Sequence, residues 1–108
     1  MASVNLDTTK ITDWPTFHSL CKDVFGFPDF YGSNMNAWID CLSYLSDSDQ
    51  MTRFELESDE QLFITVLAFE SFTKRLPELS SSLLECVAFV NLRYISCGEP
   101  PRLVLVLV

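Results

Sequence analysis

The sequence is short of most of what an active site or a nucleic-acid surface is built from. It has one histidine, His18, three glycines and seven basic residues in 108. Three glycines leave no Gly-rich loop to cradle a phosphate. One imidazole, with Cys21, Cys41, Cys86 and Cys97 forming no Cys-x-x-Cys pair, leaves no plausible Cys/His zinc set. No apolar run approaches the roughly 18 residues of a membrane span, and Met1 to Lys10 lacks the apolar centre of a signal peptide. Repeats, low-complexity tracts and domain linkers are absent too. Seven bases stand against fifteen acids, for a net charge of −8. That sign argues against nucleic acid and anionic lipid as partners, since both are themselves negative. The expectation is a reduced, cytoplasmic protein with four free thiols, no metal and no cofactor.

What is present is bulk. Apolar residues make up 48% of the chain, with nine Phe and two Trp. A chain of this length buries a core without staples, so a single folded domain over 1–108 is expected. The acid excess is concentrated: Asp29 to Glu60 holds eight acids and one base, Arg53, which is −7 of the total −8. This suits a basic protein partner, and it equally suits a domain that is acidic for solubility alone.

Periodicity places the elements. Ser3 to Thr9 alternates weakly and reads as a first strand. Thr12-Asp13-Trp14-Pro15 opens a helix, whose apolar side is Trp14, Phe17, Leu20, Cys21, Val24 and Phe25 and whose end is Gly26. His18 falls off that stripe and reads as a surface residue. A Pro- and Gly-bearing loop, Phe27 to Ser33, precedes a second helix from Ser33 or Asn34 to about Leu45. Ser46 to Gln50 is a polar loop, and Met51 to Leu56 reads as a short extra edge strand. Leu62 to Phe69 is almost wholly apolar and reads as a strand buried on both faces. A short helix follows at Glu70–Arg75 and another helix from Pro77 to about Ser96, then a last apolar strand at Leu103–Val108. Short apolar strands separated by helices imply an α/β fold: a small parallel sheet with helices mainly on one face.

The second helix is the informative one. At 100° per residue, Met35, Trp38, Leu42 and Leu45 form its buried stripe, flanked by Cys41. Asn36, Ile39, Asp40 and Ser43 lie at i, i+3, i+4 and i+7 and form a separate strip, with Tyr44 beside it. A carboxylate, an amide, a hydroxyl and an exposed-edge Ile, joined by Phe30 and Tyr31 of the loop, suit a protein interface with one charged anchor. A solvated helix face with one ordinary Asp has the same pattern. Elsewhere, Asp23 and Asp29 belong to no catalytic motif, Glu85-Cys86 resembles no nucleophile elbow, and Cys41 and Cys86 read as small buried hydrophobes.

The stretch Phe27-Pro28-Asp29-Phe30-Tyr31-Gly32-Ser33-Asn34-Met35-Asn36-Ala37-Trp38-Ile39-Asp40-Cys41-Leu42 resembles the barstar signature. Later segments, from Leu62 through Leu76-Pro77-Glu78-Leu79 and Glu85 to Asn91 to Pro100-Pro101, are similar as well. The resemblance implies a three-stranded parallel sheet with helices and an inhibitor of a small basic ribonuclease. In that family the second helix and its leading loop cover the enzyme's active site. Tyr31 then matches a binding-loop aromatic, and Phe30 replaces a second tyrosine. Asp40 matches the acid that enters the nuclease phosphate site, and Ser43 matches a contacting Thr. Asn36 stands where a contacting Asp is found, and Ile39 where a Trp is found. The family's later-helix Glu falls nearest Arg93, so no role is carried over there. The implied partner surface is Phe30, Tyr31, Gly32, Asn34, Asn36, Ile39, Asp40, Ser43 and Tyr44. The implied partner is a barnase-like ribonuclease or the nuclease domain of an antibacterial toxin, and the free chain is expected to be a monomer. Two other readings stay open: an interaction module with a non-nuclease partner, favoured by the Asn36 and Ile39 departures, and a small enzyme, disfavoured by the poor supply of catalytic groups.

Overall fold

Three parallel strands in the order β1-β2-β3 form the sheet of the computed structural model, which describes residues 2–46 and 50–108. Strand β1 is Ala2–Asp7, β2 is Leu62–Leu67 and β3 is Leu103–Leu107; helices α1 (Trp14–Phe25), α2 (Met35–Leu42), α3 (Phe69–Arg75) and α4 (Pro77–Ser96) connect them. The register places Val4 beside Ile64 and Ile64 beside Leu105. Side chains alternate faces along a strand, so Val4, Leu6, Leu62, Ile64, Val66 and Leu103 share the inner face, and all six are buried. Each contributes roughly 1.5–3 kcal/mol relative to exposure. On the other face Ser3 and Asn5 are exposed, and Phe63, Thr65 and Val104 are only partly covered.

The expected α/β architecture is therefore observed, with four corrections. Strand β2 is buried on one face and not both, because the helices cover a single side of the sheet. It also stops at Leu67: Ala68 takes φ +54° and turns the chain directly into α3 at Phe69. Met51 to Leu56 is no strand. Its backbone bonds go singly to other elements, from Arg53 N to Phe25 O (2.9 Å) and from Leu56 N to Leu45 O (2.7 Å), so no ladder forms. That segment closes the end of α1 instead. Arg53 Nε donates to Val24 O at 2.9 Å. Gly26, at φ +71°, lets the two chains approach, since a Cβ there would stand 2.8 Å from Arg53 Cβ.

Helix α2 also ends earlier than its apolar pattern suggests, at Leu42. Tyr94 of α4 is the cause. Its hydroxyl donates to Leu42 O (2.7 Å) and accepts from Leu45 N (3.0 Å), capturing the backbone that a further helical turn would have used. Arg102, buried just before β3, ties down the acidic loop before β2: Nη1 donates to Glu57 O and Glu60 O, and Nη2 pairs with Glu99 at 2.9 Å. All four cysteines are free; Cys21 and Cys41 are buried, Cys86 is partly buried and Cys97 is exposed.

Candidate functional site

The loop between α1 and α2 is held by a run of aromatic contacts that begins in the core. Trp38 of α2 is fully buried and meets Phe25 edge-on at 6.1 Å. Phe25 stacks on Phe27 at 5.3 Å, and Phe27 lies 4.6 Å from Tyr31. The Tyr31 hydroxyl is 2.6 Å from His18 Nδ1, and the imidazole stacks on Trp14. Burial pushes the Tyr31 phenol well above its ordinary range, so it keeps its proton; with the imidazole proton on Nε2 the hydroxyl is the donor and Nδ1 the acceptor. Burial also lowers the His18 pKa from 6.5, which favours the neutral ring that can accept.

Two corrections follow from this packing. His18, expected at the surface, is 4% exposed. The apolar side of α1 extends to His18, because Trp14 stacks on the imidazole, Phe17 meets it edge-on and Tyr31 binds its Nδ1 edge. Ile39, expected at an exposed edge, is 9% exposed and belongs to the core.

The remaining expected residues divide by role. Phe30 is 75% exposed, held outward by the turn in which Tyr31 N donates to Pro28 O. Tyr31 itself is largely covered and positions that turn. Asn34 caps α2, accepting from Ala37 N at 2.8 Å, while its amide reaches Gly32 O. Asn36, Asp40 and Tyr44 are exposed on one side of α2, and Ser43 is partly covered beside them. The structure thus brings Asn36, Asp40, Ser43 and Tyr44 together as a solvent-facing strip, with Phe30 and Gly32 exposed on the loop before it. Asp47 and Asp49, counted in the acidic stretch, lie outside the described residues.

One residue of the site had no expected role. Arg93 of α4 places Nη1 3.0 Å from Asp40 Oδ1 and 3.2 Å from Ser43 Oγ. Nothing local in the sequence announces this pairing, which joins residues 53 positions apart. Thiol chemistry is not favoured here: burial and the adjacent Asp40 push the Cys41 thiol up to about 11. Among the described residues, no group of three or more His, Cys, Asp or Glu could hold a metal ion. No helix among them is long and apolar enough to cross a membrane.

The features together define a class: a small acidic α/β domain that presents one short helix and its leading loop to solvent. The family model described as Barstar (barnase inhibitor) matches residues 1–106, essentially the whole chain, and the chain belongs to that family. By that description the family is one of inhibitors rather than enzymes. Comparison with curated proteins found no match.

Proposed function

We propose that this chain inhibits a basic ribonuclease, or the ribonuclease domain of a toxin, by seating α2 and the preceding loop over the active site. The observation that carries the reading is the Asp40 carboxylate, whose side chain is 60% exposed on the outward strip of α2, in a chain that matches the inhibitor family over residues 1–106. A ribonuclease site must bind phosphate and is lined by cationic groups. A carboxylate placed there accepts charge-assisted hydrogen bonds as a phosphate would. Phe30, Asn36 and Tyr44 then exclude substrate by bulk, while Tyr31, Gly32, Asn34 and Ile39 hold the shape of the loop and helix. The acid excess between Asp29 and Glu60 accelerates encounter with a basic enzyme. In this reading the free chain is a cytoplasmic monomer that needs no cofactor and performs no catalysis.

The test is RNA cleavage by a barnase-type ribonuclease titrated with the chain. Loss of activity at one equivalent, with an association rate that falls from low to physiological salt, is the expected result. Undiminished cleavage in molar excess of the chain would overturn the proposal. The Asp40–Arg93 pair favours a second reading, a non-nuclease protein partner, since the anchor already has a cation. Co-purification of a partner without ribonuclease activity would decide for it.

A further inference from the structure

The anchor carboxylate of the proposed site already has a counter-ion, and that counter-ion is held in place. Arg93 donates to both Asp40 and Ser43, and its guanidinium sits 5.3 Å over the Phe89 ring. Ser43 is fixed in turn, because its hydroxyl donates to Ile39 O at 2.7 Å. Three neighbours therefore keep the guanidinium over the outward strip of α2. The pair belongs to the surface and not the core: the Arg93 and Asp40 side chains are 46% and 60% exposed. Arg93 also borders an open groove of about 610 Å³ between the end of α2 and α4, lined by Ser43, Tyr44, Phe89, Leu92 and Glu99. Glu99 is engaged by Arg102 at 2.9 Å. Arg93 thus presents a cation where the partner would dock.

We propose that Arg93 is a specificity-determining residue, which makes the docking face an acid–base pair and selects a partner that offers a cation to Asp40 and a carboxylate to Arg93. The proposal rests on the reading of α2 as the ribonuclease-facing helix. A uniformly basic site that draws in Asp40 must also accept a guanidinium among like charges, or strip it from Asp40 and Ser43. Either course weakens binding. A partner carboxylate beside the cationic site removes that penalty, because a guanidinium fork accepts a new carboxylate in place of the old one. One exposed arginine therefore weakens binding to a uniformly basic nuclease site while leaving the phosphate-mimicking acid intact.

The experiment measures affinity for a barnase-type ribonuclease, used as a probe with a basic active site, against the wild type and the variants Arg93→Gln, Arg93→Glu, Arg93→Lys and Asp40→Asn. Arg93→Gln should bind about tenfold tighter than the wild type, as expected for relief of a close like-charge contact. Arg93→Glu should bind tighter still. Arg93→Lys, which keeps the charge, should stay near the wild type, and Asp40→Asn should weaken binding. Melting temperatures should barely move, since an exposed ion pair contributes little to stability; a merely structural arginine would instead lower them and leave affinity without gain. Binding by the wild type with no gain in Arg93→Gln overturns this proposal alone. Failure of the wild type and every variant to bind the probe overturns the ribonuclease reading and this proposal with it.

Discussion

Helices α1 and α2 flank one loop and are built in opposite ways. Helix α1 carries its own start and stop. Asp13 accepts from Thr16 N while Thr16 Oγ1 takes the Asp13 N–H, Pro15 sits in the first turn, and Gly26 closes the end in a left-handed conformation. Helix α2 carries only a start, the Asn34 cap. Its end is closed from outside by Tyr94, and its outward acid is paired from outside by Arg93. On α1, the His18 side chain that meets the loop is covered. The side chains on the outward strip of α2 remain open to a partner. A helix stabilised by its own sequence is a frame; a helix finished by its neighbours has side chains left over for recognition.

The largest expected effect tests that division directly. Asp40→Ala should cost at least about 2 kcal/mol in binding to the cognate partner, roughly thirty-fold in affinity, with little change in melting temperature. Surface plasmon resonance alongside thermal melts would check it. A folded variant of wild-type affinity would remove α2 from the interface. Next comes Tyr94→Phe, which strips the Leu42 carbonyl and the Leu45 N–H of a buried partner. A stability loss of about 1–3 kcal/mol is expected in denaturant unfolding, together with faster amide exchange at Leu45. Exchange confined to α1 would contradict the comparison.

A smaller effect belongs to α1. Asp13→Ala removes the capping box and should lower the melting temperature by a few degrees without changing inhibition. If it weakened binding as much as stability, the two helices would not be separable. The smallest effect is a pH dependence. Burial depresses the His18 pKa in the folded chain, so below about 6.5 the unfolded chain binds the extra proton more readily. The contribution is fully present above the unfolded value near 6.5 and is lost as pH falls below it. Thermal melts at pH 7.5 and 5.5 should show the decline, and His18→Gln should flatten it over that interval.

Much of this architecture was readable beforehand. Helix α1 matches its expected span because its caps lie within the segment itself, and α4 matches because Pro77 begins it and Gly98 follows it. The errors lie where a neighbour decides. Met51 to Leu56 has strand-like composition, but a strand exists only where another offers a ladder, and here the backbone is drawn to α1 and the turn after α2. His18 and Ile39 have side chains that suit either environment, and their burial depends on which aromatic or helix lies above them.

Local signals in the chain alone determined the order of the helices, the parallel α/β class, the acidic balance and the exposure of Asp40 on an outward strip. These follow from periodicity, caps and charge, which act over a few residues. Only the tertiary structure decided that one face of β2 stays half open, that α2 stops at Leu42, that Tyr31 is locked to His18, and that Arg93 pairs with Asp40. Each of these joins residues far apart in sequence, through hydrogen bonds and packing whose partners no local pattern specifies.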